Sequence, residues 1–77
     1  MTKKEVLEQA ARGEGCLGKA GDDEPVFILR AQDALAAGLI EAWAEEAEAR
    51  GCPSSKVQGA LLIAAAMRRF PNRKWPD

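Results

Sequence analysis

The feature that most limits how this chain can fold is an unbroken apolar run near its C-terminal end, residues 60–67. Pro71 and the Ser55-to-Gln58 spacing, which is typical of a capping box, predict a helix over residues 54–69. A helix that is apolar on every face must be covered on every face, and one partner helix cannot do that. We therefore expect a homo-oligomer with these interface residues: Leu61, Leu62, Ile63, Ala66, Met67 and Phe70.

The small size of the chain points the same way. Its 77 residues predict one small helical domain, with an N-terminal helix and loop (1–25), a core (26–70) and a tail (71–77). A chain of this length buries only about 60–65% of the surface that its unfolded form exposes. Fifteen of its residues are alanine, which favours helix but buries little apolar area. Self-association would supply the contacts that such a core lacks.

The N-terminal part predicts a short helix and then a long loop. Thr2 and Glu5 have the spacing of a capping box at the start of a helix over residues 3–12. Gly13 stands just past its end, where glycine is common. Residues 13–25 contain four glycines and no periodic pattern, which indicates a loop.

Residues 26–29 form a β-rich apolar run after a proline, and two interpretations of it stay open. The run is either a brief extended segment, paired with the same segment of a second subunit, or the first turn of a helix. We favour the extended segment.

The clearest periodic pattern predicts a helix from Asp33, as N-cap, to about Arg50. Its apolar stripe recurs every four residues, with Ala36 and Ile40 beside it: Leu35, Leu39, Trp43 and Ala47. Glu46 has the spacing to form an ion pair with Arg50. The expected fold class is therefore mainly α: a short N-terminal helix, a long loop, a brief extended segment and an antiparallel two-helix hairpin.

The residue content argues against catalysis and against a metal or cofactor. The chain has no histidine and no tyrosine, which removes the commonest general base and metal ligand. Cys16 and Cys52 lack the Cys-x-x-Cys spacing of a zinc site, and we expect them to fill packing space. No signal peptide is recognisable, and the longest apolar run is far shorter than the roughly 20 residues that span a bilayer. We expect a cytoplasmic protein without a membrane partner.

A glycine-rich stretch, residues 13–20, fits both the G-x-G-x-x-G pattern and the phosphate-loop pattern up to its last residue. Both patterns need a strand before and a helix after, and Ala20 replaces the hydroxyl that would hold magnesium. The stretch is either a plain flexible loop or a row of backbone N–H groups that binds an anion. The second interpretation makes Gly15, Gly18 and Lys19 candidate ligand-binding residues.

Basic residues supply the other candidates for ligand binding. Arg30 stands three residues before Asp33, and it either forms a buried ion pair or faces a ligand. The end of the chain combines cations with one aromatic ring: Arg69, Arg73, Lys74 and Trp75. This set suits phosphate binding with base stacking, or else a basic helix end that meets an acidic neighbour. The net charge of −1 argues against a dedicated nucleic-acid binder.

Three segments carry a resemblance to known proteins: residues 16–19 (CLGK), 24–33 (EPVFILRAQD) and 70–74 (FPNRK). Through them the chain resembles a family of small phage and prophage proteins, over most of its length from about residue 15 onward. These motifs are no catalytic signature. The resemblance implies a viral or mobile-element accessory protein. Small phage proteins of this kind include inhibitors of bacterial immunity, and some are oligomeric sponges that sequester nucleotide signals.

Together these observations predict a non-enzymatic accessory protein, in the host cytoplasm if phage-encoded, that sequesters a small anionic, nucleotide-like ligand between its subunits as a counter-defence. Two alternatives stay open. One is a protein–protein inhibitor of a host factor that uses an acidic helix face: Glu41, Glu45 and Glu48. The other is a DNA-binding accessory or regulatory protein, which the apolar last helix disfavours.

Overall fold

Four helices form in the part of the chain that the computed structural model describes, residues 1–76. They are α1 (Lys3–Ala11), α2 (Gly15–Lys19), α3 (Ala36–Ala49) and α4 (Ser54–Arg68). The first two helices form a bent N-terminal unit, α3 and α4 pack as an antiparallel pair, and no sheet forms among the described residues. The predicted mainly α class and the antiparallel hairpin are confirmed.

The ends of α1 form as the sequence predicts. The Thr2 hydroxyl accepts a hydrogen bond from the Glu5 N–H at 3.3 Å, and the Glu5 carboxylate accepts one from the Thr2 N–H at 3.3 Å. Beyond the helix, Gly13 has a φ of 71° and the Glu14 N–H donates to the Gln9 carbonyl at 2.8 Å. This Schellman arrangement needs a left-handed residue and therefore favours glycine.

The loop predicted over residues 13–25 is wrong in its first half, because α2 forms inside it. Gly18 explains how α2 fits against the end of α1. A Cβ atom on Gly18 would lie 2.8 Å from the carbonyl carbon of Gly13 and 3.2 Å from the Cα atom of Ala10. Only a residue without a side chain permits this approach. The glycine-rich stretch is therefore a tight corner between two helices rather than a plain flexible loop.

The segment before α3 does not form the helical turn that was one of its two interpretations. Residues 26–30 belong to neither a helix nor a sheet, so the helical interpretation of this run is wrong. Asp33 is not the N-cap of α3, which begins only at Ala36. The Asp33 carboxylate instead accepts a hydrogen bond from the Leu35 N–H at 2.8 Å and closes a turn that leads into the helix.

The capping box predicted at the start of α4 does not form. Pro53 occupies the N-cap position without a side-chain cap, and Ser54 is already the first helical residue. Ser55 therefore lies inside the first turn, where its hydroxyl no longer has a cap position to fill. Proline ahead of the helix fixes its own φ and pre-organises the entry of the chain into the helix.

The predicted stripe of α3 is buried only in part: Ala36 and Ala47 are buried, whereas its larger side chains are not. Leu35, Leu39 and Trp43 remain between 45% and 53% exposed. The buried residues of the pair are small: Ala36, Ala37, Ala44, Ala47, Val57 and Ala64. Because the distance between packed helices depends on the side chains at their contact, an alanine-lined contact brings α3 and α4 close together. That contact leaves the larger leucine and tryptophan side chains outside.

Most of the predicted oligomer interface is uncovered in the single chain. Leu61, Leu62, Ala66 and Phe70 are exposed, and Ile63 and Met67 are half-buried. The N-terminal unit does not cover them, because no Cα atom of α1 or α2 lies within 8 Å of one in α3 or α4. Assembly through α4 therefore stays a prediction, and the surface it needs is accessible.

Replacing Gly18 by alanine is expected to destabilise the α1–α2 corner by about 1–3 kcal/mol, because the added methyl group overlaps the Gly13 backbone. Hydrogen exchange of the amides in residues 3–19 measures this loss locally. Gly38→Ala is the matched control: nothing lies within 4 Å of a Cβ atom there, so the same change should add about 0.5–1 kcal/mol to helix stability. Equal protection of these amides in both variants would contradict the packing role of Gly18.

Candidate functional site

The C-terminal tail is held against the start of α3 by a short parallel bridge. The Lys74 N–H donates to the Gln32 carbonyl at 2.8 Å, and the Ala34 N–H donates to the Lys74 carbonyl at 2.8 Å. Pro71 cannot continue α4, and the chain turns at Asn72, whose φ is 62°. Asparagine adopts this left-handed region more readily than most residues with side chains. Local turn chemistry therefore directs the tail back to the body of the protein.

This bridge brings three of the predicted ligand-binding residues to one open groove, which we call the tail groove. Arg30, Lys74 and Trp75 line it, and its volume is about 190 Å³. The remaining lining residues are Ile28, Gln32, Asp33 and Pro76. Among the described residues, the tail groove thus combines a guanidinium, an ammonium and an indole with one carboxylate, that of Asp33.

Arg30 is an exposed side chain and not a member of a buried ion pair. The Asp33 carboxylate is occupied by the Leu35 N–H at 2.8 Å, while the Asp33 N–H donates to the Arg30 carbonyl at 3.0 Å. No ion pair of the Arg30 guanidinium is formed with any residue in the described part of the chain. The buried-ion-pair interpretation is therefore wrong, and the planar group with its five N–H donors is accessible to a ligand.

The other predicted ligand-binding residues lie outside the tail groove. Gly15, Gly18 and Lys19 belong to α2, where Gly18 serves the packing on α1. Arg69 follows α4 directly and Arg73 lies in the tail, and both are exposed. A single chain does not bring these five residues to the tail groove, so their binding roles stay predictions.

A second groove, which we call the apolar groove, was missed by the sequence analysis. It has a volume of about 480 Å³. Its lining is wholly apolar: Phe27, Leu29, Leu39, Ile40, Trp43, Ala60 and Ile63. The sequence pattern did place Leu39 and Trp43 in an apolar stripe, but we expected that stripe to lie in the contact between helices.

Residues 26–30 separate the two grooves. Phe27 and Leu29 line the apolar groove, whereas Ile28 and Arg30 line the tail groove. This alternation is what an extended backbone produces, because its successive side chains point to opposite sides. Because residues 26–29 are all apolar, no polar–apolar alternation in the sequence revealed the two sides.

One ion pair joins the two long helices. The Arg68 guanidinium donates to both carboxylate oxygens of Glu41, with Nε to Oε2 at 2.9 Å and Nη2 to Oε1 at 2.5 Å. The hydrogen bonds from Arg68, helped by its positive charge, lower the pKa of Glu41. The same contact raises the pKa of Arg68. The Glu46–Arg50 pair predicted within α3 is confirmed, with Oε1 and Nε 2.7 Å apart.

The cysteine side chains do not fill packing space. Cys16 and Cys52 are exposed free thiols, so the expectation that they fill packing space is wrong. Within residues 1–76, no three cysteine, aspartate or glutamate side chains gather into a group that could hold a metal ion. None of the helices in this part of the chain is long and apolar enough to cross a membrane.

A scan against protein families, a search of the curated proteins and a search of the solved structures each found no match to this chain. The resemblance to small phage proteins stays an expectation from the sequence. The candidate site therefore stands on the geometry of the tail groove and on the chemistry of the residues that line it.

Glu41→Gln is expected to make the free energy of unfolding depend less on pH in the acidic range. Because the pKa of Glu41 is lowered in the folded chain, the contribution of its ion pair is complete above the ordinary carboxyl pKa of about 4.3 and is lost as the pH falls through the lower, folded value. Urea unfolding at a series of acidic pH values measures the effect. Glu45→Gln, at an exposed position of the same helix, should keep the wild-type profile. Identical acid-side slopes in wild type and Glu41→Gln would contradict this role.

Proposed function

We propose that this chain is a non-catalytic, phage-type accessory protein that binds and sequesters a small anionic, nucleotide-like ligand at sites between its subunits, with counter-defence as its role. The observation that carries the proposal is that Arg30, Lys74 and Trp75 line one groove. Cations recognise phosphate, and an aromatic ring stacks on a base. The resemblance to small phage proteins supports the viral setting.

Arg30 is the main phosphate ligand in this proposal. Its exposed guanidinium presents paired N–H donors that match two phosphate oxygens, and Lys74 adds a second positive charge in the same groove. A small cationic site in a chain with a net charge of −1 favours a compact anion over a long polyanion, whose binding needs a broad basic surface.

Trp75 is the base-stacking element. Its side chain is 72% exposed although indole is among the most apolar groups in proteins. Stacking on a nucleobase would cover one face of the ring and contributes about 1–3 kcal/mol per base in single-strand binders. The backbone bridge at Lys74 fixes the position of the neighbouring Trp75 relative to Arg30, which reduces the entropy lost on binding.

The site is proposed to be completed by a neighbouring subunit. The tail groove of about 190 Å³ is smaller than the roughly 300–1,000 Å³ of typical ligand pockets, and it is open on one side. A second chain, docked through the exposed α4 residues from Leu61 to Phe70, would add the missing wall. The residues proposed to contribute from it are Gly15, Gly18, Lys19, Arg69 and Arg73.

The acidic helix face is a weaker basis for a function. Arg68 occupies the carboxylate of Glu41, so one of the three side chains of this face already has a partner within the chain. No other observation favours an inhibitor that binds a basic host surface through this face.

Arg30→Ala is expected to weaken nucleotide binding by about 10- to 100-fold, as the loss of one charge-assisted phosphate contact does. Isothermal titration calorimetry with AMP, ATP and a cyclic dinucleotide measures the affinity, after native mass spectrometry has shown whether the purified protein carries a ligand. Lys56→Ala is the matched control, because Lys56 is an exposed cation on α4 outside the tail groove. Equal losses in both variants, or no loss in either, would exclude Arg30 as a ligand.

Trp75→Ala is expected to separate base recognition from phosphate recognition. It should weaken binding of the nucleotide by about tenfold, because stacking is lost, and leave the affinity for inorganic pyrophosphate unchanged. The same titration with both probes checks this. A parallel loss for pyrophosphate would show that Trp75 only holds the tail in place.

A further inference from the structure

The single chain exposes far more surface than its size requires. Its accessible surface is 6256 Å², whereas a folded monomer of 8.3 kDa exposes about 4,600 Å². The excess of roughly 1,700 Å² is about twice the 800 Å² that each partner buries in a standard protein interface. The radius of gyration, 13.3 Å, likewise exceeds the value of about 11.5 Å expected for this length.

Three large and exposed apolar side chains line the apolar groove. Phe27 is 86% exposed, Leu39 53% and Trp43 52%, and all of the lining residues are apolar. A contiguous apolar patch on a small protein marks an interaction surface, because water contact with it is unfavourable. This groove is distinct from the outward α4 residues such as Leu62, although Ile63 belongs to both surfaces.

We propose that the apolar groove is the seat of a second copy of this chain, in a contact separate from the one proposed for α4, and that its occupation holds residues 26–30 in place. A second copy is the occupant that matches the excess of accessible surface. Every copy of the chain has this excess, and a contact between two copies removes it from both. A small apolar ligand in a groove of about 480 Å³ would leave most of that excess exposed.

Occupation of the apolar groove acts on the other side of the same segment. The second copy would bury Phe27 and Leu29. Because Ile28 and Arg30 alternate with these residues along the same extended backbone, their positions in the tail groove would be fixed as well. Assembly and anion binding are then linked, and each strengthens the other. This last step rests on the proposed function, whereas the contact between copies does not.

The test compares Phe27→Ser and Leu39→Ser with the control Leu7→Ser. Leu7 and Leu39 are the same residue type at 54% and 53% exposure, but Leu7 lies on α1, away from the apolar groove. Phe27 is outside every helix and 86% exposed, so its replacement leaves the helical pair intact. Light scattering after gel filtration gives the mass of each assembly, circular dichroism verifies the helices, and hydrogen exchange reports on residues 26–30.

We expect wild type and Leu7→Ser to form the same oligomer, and Phe27→Ser and Leu39→Ser to give a smaller species with fast exchange at residues 26–30. A wild type that is monomeric at every concentration overturns the proposal. So does an oligomer that keeps its mass in both groove variants and is split only by Leu62→Ser, because the contact on α4 would then hold the copies together without the apolar groove. These readouts contain no nucleotide, so a failure of nucleotide binding counts against the proposed function alone.

Discussion

The close contact between α3 and α4 is the constraint on which the rest of this structure depends. Its lining consists of alanine residues and Val57, and Val57 is the one larger side chain among them. Small side chains allow the helices to approach, but they bury little apolar area. The large side chains that would make a stronger core, including Leu39 and Trp43, are left on the outside. A chain built in this way leaves large apolar side chains in water, which is the reason why we propose that it assembles.

Residues 26–30 lie between the helical pair and the candidate site. This extended segment lies between an apolar groove beside the helical pair and a cationic groove beside the tail, and it contributes alternate residues to each. The tail is fixed in turn by the backbone of Lys74, which bonds on both sides to the chain that leads into α3. In our proposals, assembly and ligand binding therefore share this segment, although no described residue lines both grooves.

The individual chemistry of the site was predictable, but the meeting of its parts was not. The sequence identifies Arg30, Lys74 and Trp75 by their charge and aromatic character. Nothing local indicates that residues 32–34 accept the tail, because that bridge joins segments far apart in the chain. The glycine-rich stretch shows the opposite case: its pattern left a plain loop and anion binding open, and the structure adds a packing role for Gly18 between α1 and α2.

The sequence by itself determined α1, α3 and α4 and several of their ends, but not α2. Capping by Thr2 and Glu5, the left-handed turn at Gly13 and the Glu46–Arg50 pair all depend on neighbours within one or two turns. Only the tertiary structure decided which face of α3 is buried, because that choice depends on how closely two distant helices can approach. Periodicity favours the larger apolar side chains for the core, but side-chain size at the contact selects the alanine face instead.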